Sequence, residues 1–113
     1  MAATDLVKTS SPPSAERPAG GIELQQWLLP GWLADYPDAT RRAYLADWRD
    51  FCDFCASYGI DPVRADELHV KAYKAQLERH DAKATIARRL AALQGFYSYA
   101  VRRDVIKESP AKS

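Results

Sequence analysis

Ala84-Thr85-Ile86-Ala87-Arg88-Arg89-Leu90-Ala91-Ala92-Leu93-Gln94-Gly95-Phe96-Tyr97 is the stretch on which the fold turns. Continued to Val101, its apolar residues Ile86, Leu90, Leu93, Tyr97 and Val101 fall at spacings of 4, 3, 4 and 4, with Phe96 and Ala100 beside them. That spacing keeps one face of an α-helix apolar over five turns. It predicts a helix over about residues 83 to 103, with Asp81 as its N-cap. Gly95, inside this helix, costs about 1 kcal/mol relative to Ala, so close packing or close approach of a partner is expected there.

Upstream the same periodicity recurs. Tyr44, Trp48, Phe51, Cys55 and Tyr58 are spaced 4, 3, 4 and 3, widened by Leu45 and Cys52. Asp38 is placed to accept an orphan backbone N–H at the start of that helix, and Gly59 to end it, giving about residues 39 to 58. Ile60-Asp61-Pro62 reads as a turn. Asp66 caps a third helix that ends near His80, with Leu68, Val70, Tyr73 and Leu77 as its buried face and Glu67–Lys71 as an i,i+4 pair on its wet side. Residues 22 to 33 are apolar and helix-prone, with Leu24, Trp27, Leu28, Trp32 and Leu33 available to a core. Pro30-Gly31 should kink that helix or split it in two. No run of four or more residues alternates as a strand does. The fold class is therefore all-α, a compact bundle of four or five helices.

Residues 1–21 have a different composition. They hold Ser10-Ser11-Pro12-Pro13-Ser14, one Leu, one Val and no aromatic residue. Such a segment buries too little to offset its ordering entropy and reads as a disordered tail. It has no apolar h-region of about 7–15 residues, and nowhere does the chain approach the roughly 18 apolar residues of a membrane span. The expectation is a soluble, cytoplasmic protein. The globular domain is placed at residues 22–107, with 108–113 as the start of a linker.

Chemistry-bearing residues are few. Cys52-Asp53-Phe54-Cys55 is a C-x-x-C, but His69 and His80 are eleven residues apart, where a zinc finger needs about three to five. Both cysteines lie on the apolar stripe, as small hydrophobic residues do. Neither histidine has the neighbours of a catalytic triad. There is no phosphate-binding Gly-rich loop and no H-E-x-x-H. The reading is a protein with no catalytic residue, metal or cofactor.

The cations are more informative than the net charge of +1 over 113 residues. Up to Tyr36 there are two bases against four acids; beyond it, 14 bases against 11 acids. Helices favour acids in the first turn and bases in the last. The second helix opens on Thr40-Arg41-Arg42, and the fourth on Lys83-Ala84-Thr85 followed by Arg88-Arg89, each cation costing about 0.3 kcal/mol or more. Free N–H groups, hydroxyls and guanidinium groups together are what a phosphate needs. Arg42, Ala46 and Arg49 share one exposed face; Thr85, Arg88 and Ala92 line a flank of the fourth helix. Alternatively these arginines are the solvated face of amphipathic helices, and Asp47, Asp50 and Asp53 favour that reading by limiting the basic stripe.

Thr40-Arg41-Arg42-Ala43-Tyr44, followed by Trp48 and Phe51, resembles the T-x-x-x-Y…L-x-x-F helix of the tyrosine-recombinase, or phage-integrase, superfamily. The stretch quoted at the outset resembles its T-I-x-R-R-L-x-A-L-x-x-F-Y helix. Tyr58-Gly59-Ile60-Asp61-Pro62, Val70-x-x-Tyr73 and Ile106…Ser109-Pro110-Ala111 follow the family's turn, third helix and linker. The resemblance is to the N-terminal core-binding, SAM-like domain and covers about residues 24 to 111. It implies a DNA-binding module forming half of a clamp around duplex DNA near the crossover site. It carries DNA contact to Thr40, Arg41, Arg42, Arg49, Lys83, Ala84, Thr85, Arg88 and Arg89, with Arg42 and Arg88 best placed to reach base edges. Other protomers of the parent recombinase are the further partners implied, with the fragment monomeric when free. Two departures stand out. Ala82 occupies a position where the family often has a Ser or Thr cap. The family's catalytic Arg, His-x-x-Arg and Tyr have no match, since Ala72 and Lys83 follow His69 and His80 at that spacing. The rival reading is a protein-interaction bundle using a Trp27/Trp32 surface.

Overall fold

The computed structural model describes residues 22–111, with side chains from Gln26 onward. The tail at 1–21, the packing of Leu24 and the end of the linker lie outside the described residues. Four helices follow one another: α1 (Ile22–Leu33), α2 (Asp38–Ser57), α3 (Glu67–His80) and α4 (Lys83–Arg102), with a 3₁₀ turn at Pro62–Arg64. No strand occurs among the described residues. The fold class is the all-α bundle expected from the periodicity.

α2 and α4 are the central pair, and α1 and α3 pack against them. The core lies where the apolar stripes meet. Trp48 is stacked on Phe96 at 3.9 Å between ring centroids, and Phe51 meets Tyr73 edge-on at 4.9 Å. Trp48, Phe51, Tyr73, Leu93, Phe96 and Tyr97 are fully buried. Burying one such side chain contributes about 1.5–3 kcal/mol, so this cluster dominates the stability of the bundle. The Tyr97 hydroxyl donates to the Pro62 carbonyl and ties α4 to the 3₁₀ turn. Cys55 is buried and Cys52 half-buried.

Several local expectations are corrected. Of the two outcomes expected at Pro30-Gly31 splitting does not occur, since α1 runs through Pro30; Pro30 is exposed, so the hydrogen bond its missing N–H forfeits faces water. α2 starts one residue earlier than expected. Its N-cap is Pro37, no side chain caps it, and Asp38 pairs instead with Arg41 at 3.2 Å. Asp81 does not cap α4 but ends α3; the N-cap of α4 is Ala82, which has no side chain to offer. Leu68 is 72% exposed, because it lies half a turn away from Val70, Tyr73 and Leu77 on α3. Trp32 is 4% exposed and belongs to the core, whereas Trp27 is 78% exposed, so the two indoles do not form one surface. Ala92 is also fully buried, which removes it from the outer flank assigned to Thr85 and Arg88.

Other expectations hold. Asp66 caps α3 through the N–H groups of Leu68 and His69, at 2.8 and 3.2 Å. His69 returns the bond: its Nδ1 accepts from the Asp66 N–H at 3.0 Å, which closes a capping box. Glu67 and Lys71 pair at 3.7 Å. Beyond α4 the chain folds back on the core, with Val105 and Ile106 packed against it and Ala111 buried.

Candidate nucleic-acid interface

The sequence-derived site residues divide into three groups. The first is engaged with the protein's own backbone or partly covered. Arg41 bonds the Leu33 carbonyl at 3.3 Å through Nε and the Tyr36 carbonyl at 2.9 Å through Nη2. It adds a second bond to the last carbonyl of α1, which also accepts from the Tyr36 N–H at 3.1 Å, and ties down the turn that follows; a cation is favoured at such a helix end. That accounts for one base at the start of α2 without any ligand. Thr40 and Thr85 are half-buried.

A second group is paired across the α2–α4 contact. Arg88 grips Asp47 in a bidentate bond, Nε to Oδ2 at 2.9 Å and Nη2 to Oδ1 at 2.8 Å. Arg89 Nη1 bonds Asp50 Oδ2 at 2.7 Å, and the Tyr73 hydroxyl donates to the same oxygen at 2.6 Å. Arg89 also approaches Asp81 at 3.7 Å and, through Nε, Asp47 at 3.8 Å. Hydrogen bonding to Asp47 and its charge raise the Arg88 pKa above the usual guanidinium value. Burial opposes the charge of Arg89, yet Asp50, Tyr73 and Asp81 outweigh it and raise its pKa too. Burial pushes the Tyr73 hydroxyl well up, helped by its bond to Asp50. Both arginines therefore remain charged at any physiological pH.

The third group is open. Arg42 and Arg49 are exposed on α2, with Ala46 exposed between them; Lys83 and Ala84 are exposed in the first turn of α4. Arg42, Arg49 and Lys83 have no ion pair among the described residues. Arg49 also borders a shallow groove beside α1, lined by Leu29, Leu33, Arg41 and Leu45. The described residues contain no cluster of three potential metal ligands and no helix long and apolar enough to cross a membrane.

Sequence reasoning missed Asp47. The sequence places it with Asp50 and Asp53 only as a limit on the basic stripe, whereas its side chain is 1% exposed. The signal was present: Asp47 lies three residues after Tyr44 and four before Phe51, within the edge of the apolar stripe.

An all-α bundle with paired and unpaired arginines on its two central helices is the setting in which comparison with known proteins becomes informative. Residues 35–104 match the model of the phage integrase N-terminal SAM-like domain, and the chain belongs to that family. Similar proteins include the tyrosine recombinase XerC of Lacticaseibacillus casei, 37% identical over 78 residues, which are 66% of this chain and 26% of that protein. XerC of Leptospira interrogans is 29% identical over 79 residues, 68% of this chain and 25% of the relative. XerC of a Mycobacterium species is 38% identical over 77 residues, 66% of this chain and 26% of the relative. The chain thus spans about a quarter of the length of these relatives. No solved structure gives a significant match.

Proposed function

We propose that this chain is the DNA-gripping module of a tyrosine recombinase, that it meets duplex DNA with the N-terminal halves of α2 and α4, and that it carries no catalytic residue itself. One observation carries the reading: Arg42, Arg49 and Lys83, on the two helices that form the centre of the bundle, are exposed and have no carboxylate partner among the described residues. Arg42 and the half-exposed Arg88 are the side chains to reach base edges. Thr40, Arg49, Lys83, Ala84 and Thr85 approach phosphates, and the exposed alanines let the backbone come close. Arg41 and Arg89 act mainly through the helices they anchor. With Arg49 and Lys83 as the cations on phosphates, the log–log salt slope is about −2, so binding by the module alone is weak and salt-sensitive.

An amide-shift titration of the chain with a short duplex, at low and moderate salt, tests this. The expected result is shifts clustered at residues 40–49 and 83–89 that fade with salt. No shifts at low salt would reduce these cations to solvated surface. Trp27, exposed on α1, favours a second contact, with a neighbouring protomer on DNA. Without DNA the chain should elute as a monomer; a DNA-free dimer would support the protein-interaction reading instead.

A further inference from the structure

We infer that Asp47 is a positioning residue for sequence readout: it holds Arg88 so that one edge of the guanidinium faces outward, toward a guanine in the major groove. The inference rests on the DNA-binding reading above. A guanidinium has five N–H donors in a rigid plane. Nε–H and one Nη2–H are spent on Asp47. The end-on edge, one N–H from each Nη, remains, and Arg88 makes no other hydrogen bond among the described residues.

Exposure gives this pair a direction. The Asp47 side chain is 1% exposed and that of Arg88 is 49% exposed. The carboxylate forms the floor, and the half-exposed cation above it keeps the N–H groups of its end-on edge outside the pair. The floor is braced: Arg89 approaches Asp47 from the adjacent position on α4, and is itself held by Asp50, which Tyr73 bonds from α3. Ala84, Ala87 and Ala91, beside Arg88 on the outer face of α4, are exposed and small, so this face of α4 leaves room for an approaching groove. A loose arginine follows any phosphate. One fixed in a plane loses less freedom on binding and accepts fewer arrangements of acceptors. Guanine N7 and O6 present two acceptors side by side, which matches an end-on guanidinium.

The test is selection from a pool of randomised duplexes, using the wild-type chain, Asp47→Asn and Arg88→Lys. Wild type should enrich guanine at one position by about tenfold or more. Asp47→Asn should drop that preference below about twofold, while its binding to the unselected pool holds or rises, since a carboxylate near DNA has been removed. A merely structural Asp47 would lower thermal stability and leave the base profile unchanged. Arg88→Lys keeps the charge but cannot hold Asp47 side-on and guanine end-on together, so it too should lose the preference, and its keeping it would overturn the inference; if Asp47→Asn fails to fold, Asp47→Glu, which keeps the charge and displaces the carboxylate by one methylene, takes its place and should lose the preference as well. An unchanged profile in the folded variants overturns the inference. So does wild-type binding with no preferred base, which points to a phosphate contact and leaves the DNA reading intact. No wild-type binding to the pool overturns the DNA reading first.

Discussion

The indole of Trp32 lies across the backbone of Gly95: a Cβ added at Gly95 would meet Trp32 Nε1 at 3.0 Å. Trp32 has little room to yield. Its ring is stacked parallel to Tyr44 at 5.8 Å and meets Phe96 edge-on at 5.6 Å. Gly95→Ala should gain about 1 kcal/mol of helix propensity and lose about 1–3 kcal/mol to crowding, a net destabilisation of about 1 kcal/mol. In a Trp32→Phe background, where the Nε1 edge is gone, the same substitution should be neutral or stabilising. Urea midpoints of the four proteins give the coupling; additive effects would mean that the close approach does not constrain α1 against α4.

Arg88→Ala should act on the fold as well as on DNA. It takes both Arg88 hydrogen bonds from the buried carboxylate of Asp47 and leaves it Arg89 Nε at 3.8 Å as its cation. Breaking a fully buried pair costs about 3–5 kcal/mol, and with Arg88 half in water about 2–3 kcal/mol is expected. Arg42 and Arg49 pair with no carboxylate among the described residues, so Arg42→Ala and Arg49→Ala should stay within about 0.5 kcal/mol of wild type. Denaturant melts separate the classes. DNA affinity lost in Arg42→Ala with an unchanged melt then reports a contact, whereas the same loss in Arg88→Ala mixes two causes.

The elements of this bundle were legible because its stripes are long and aromatic: the periodicity that places Trp48 opposite Phe96 is visible in each helix alone. The capping box at Asp66 was half legible; the part played by His69 was not, since a histidine at that position closes the box only through the Nδ1 bond. The site was legible in its residue types and not in its pairing. Arg88-Arg89 on α4 and Asp47…Asp50 on α2 are 41 and 39 residues apart, and no local rule says which cation meets a carboxylate across a helix contact. Arg41 misled for the same reason. Its cost at the start of α2 is offset by the carbonyls at the end of α1, a tertiary fact. Leu68 is a plainer miss, because its angle on α3 could have been computed from its spacing to Tyr73.

The thiols should make the fold sensitive to alkali. Burial, with smaller contributions from neighbouring acidic groups that include Asp61, pushes both Cys52 and Cys55 from 9.0 up to about 12. Well below pH 9 both are protonated in the folded and unfolded chains alike. Between about pH 9 and pH 12 the unfolded chain releases these protons and the folded chain keeps them, so stability falls as pH rises. Burial raises Tyr73 and Tyr97 in the same direction, so the loss continues beyond pH 10. Denaturant melts at pH 8 and pH 10.5 should show the wild type losing more stability than Cys52→Ala/Cys55→Ala. Equal losses would mean that the thiols titrate normally. Alkylation at pH 8 should correspondingly be slow in the folded chain.

Two helix ends share one geometry but not one residue. At the end of α2, Gly59 has a φ of 70°, its N–H bonds the Ala56 carbonyl at 3.1 Å and the Ile60 N–H reaches back to Cys55 at 2.9 Å. At the end of α4, Asp104 has a φ of 62°, its N–H bonds Val101 at 3.0 Å and the Val105 N–H reaches Ala100 at 2.9 Å. Both are Schellman motifs, whose left-handed position favours Gly because a Cβ there crowds the following carbonyl. Gly59 has no atom within 4 Å of an added Cβ, so Gly59→Ala should cost about 1 kcal/mol through the backbone alone. Asp104→Gly should stabilise by up to about 1 kcal/mol, with the cost of a freer unfolded chain taking back part of the gain. The opposite signs at two matching positions make the pair diagnostic. If both substitutions destabilise, the Asp104 side chain supplies something its carboxylate makes and Gly cannot, and salt dependence of the difference would identify it as charge.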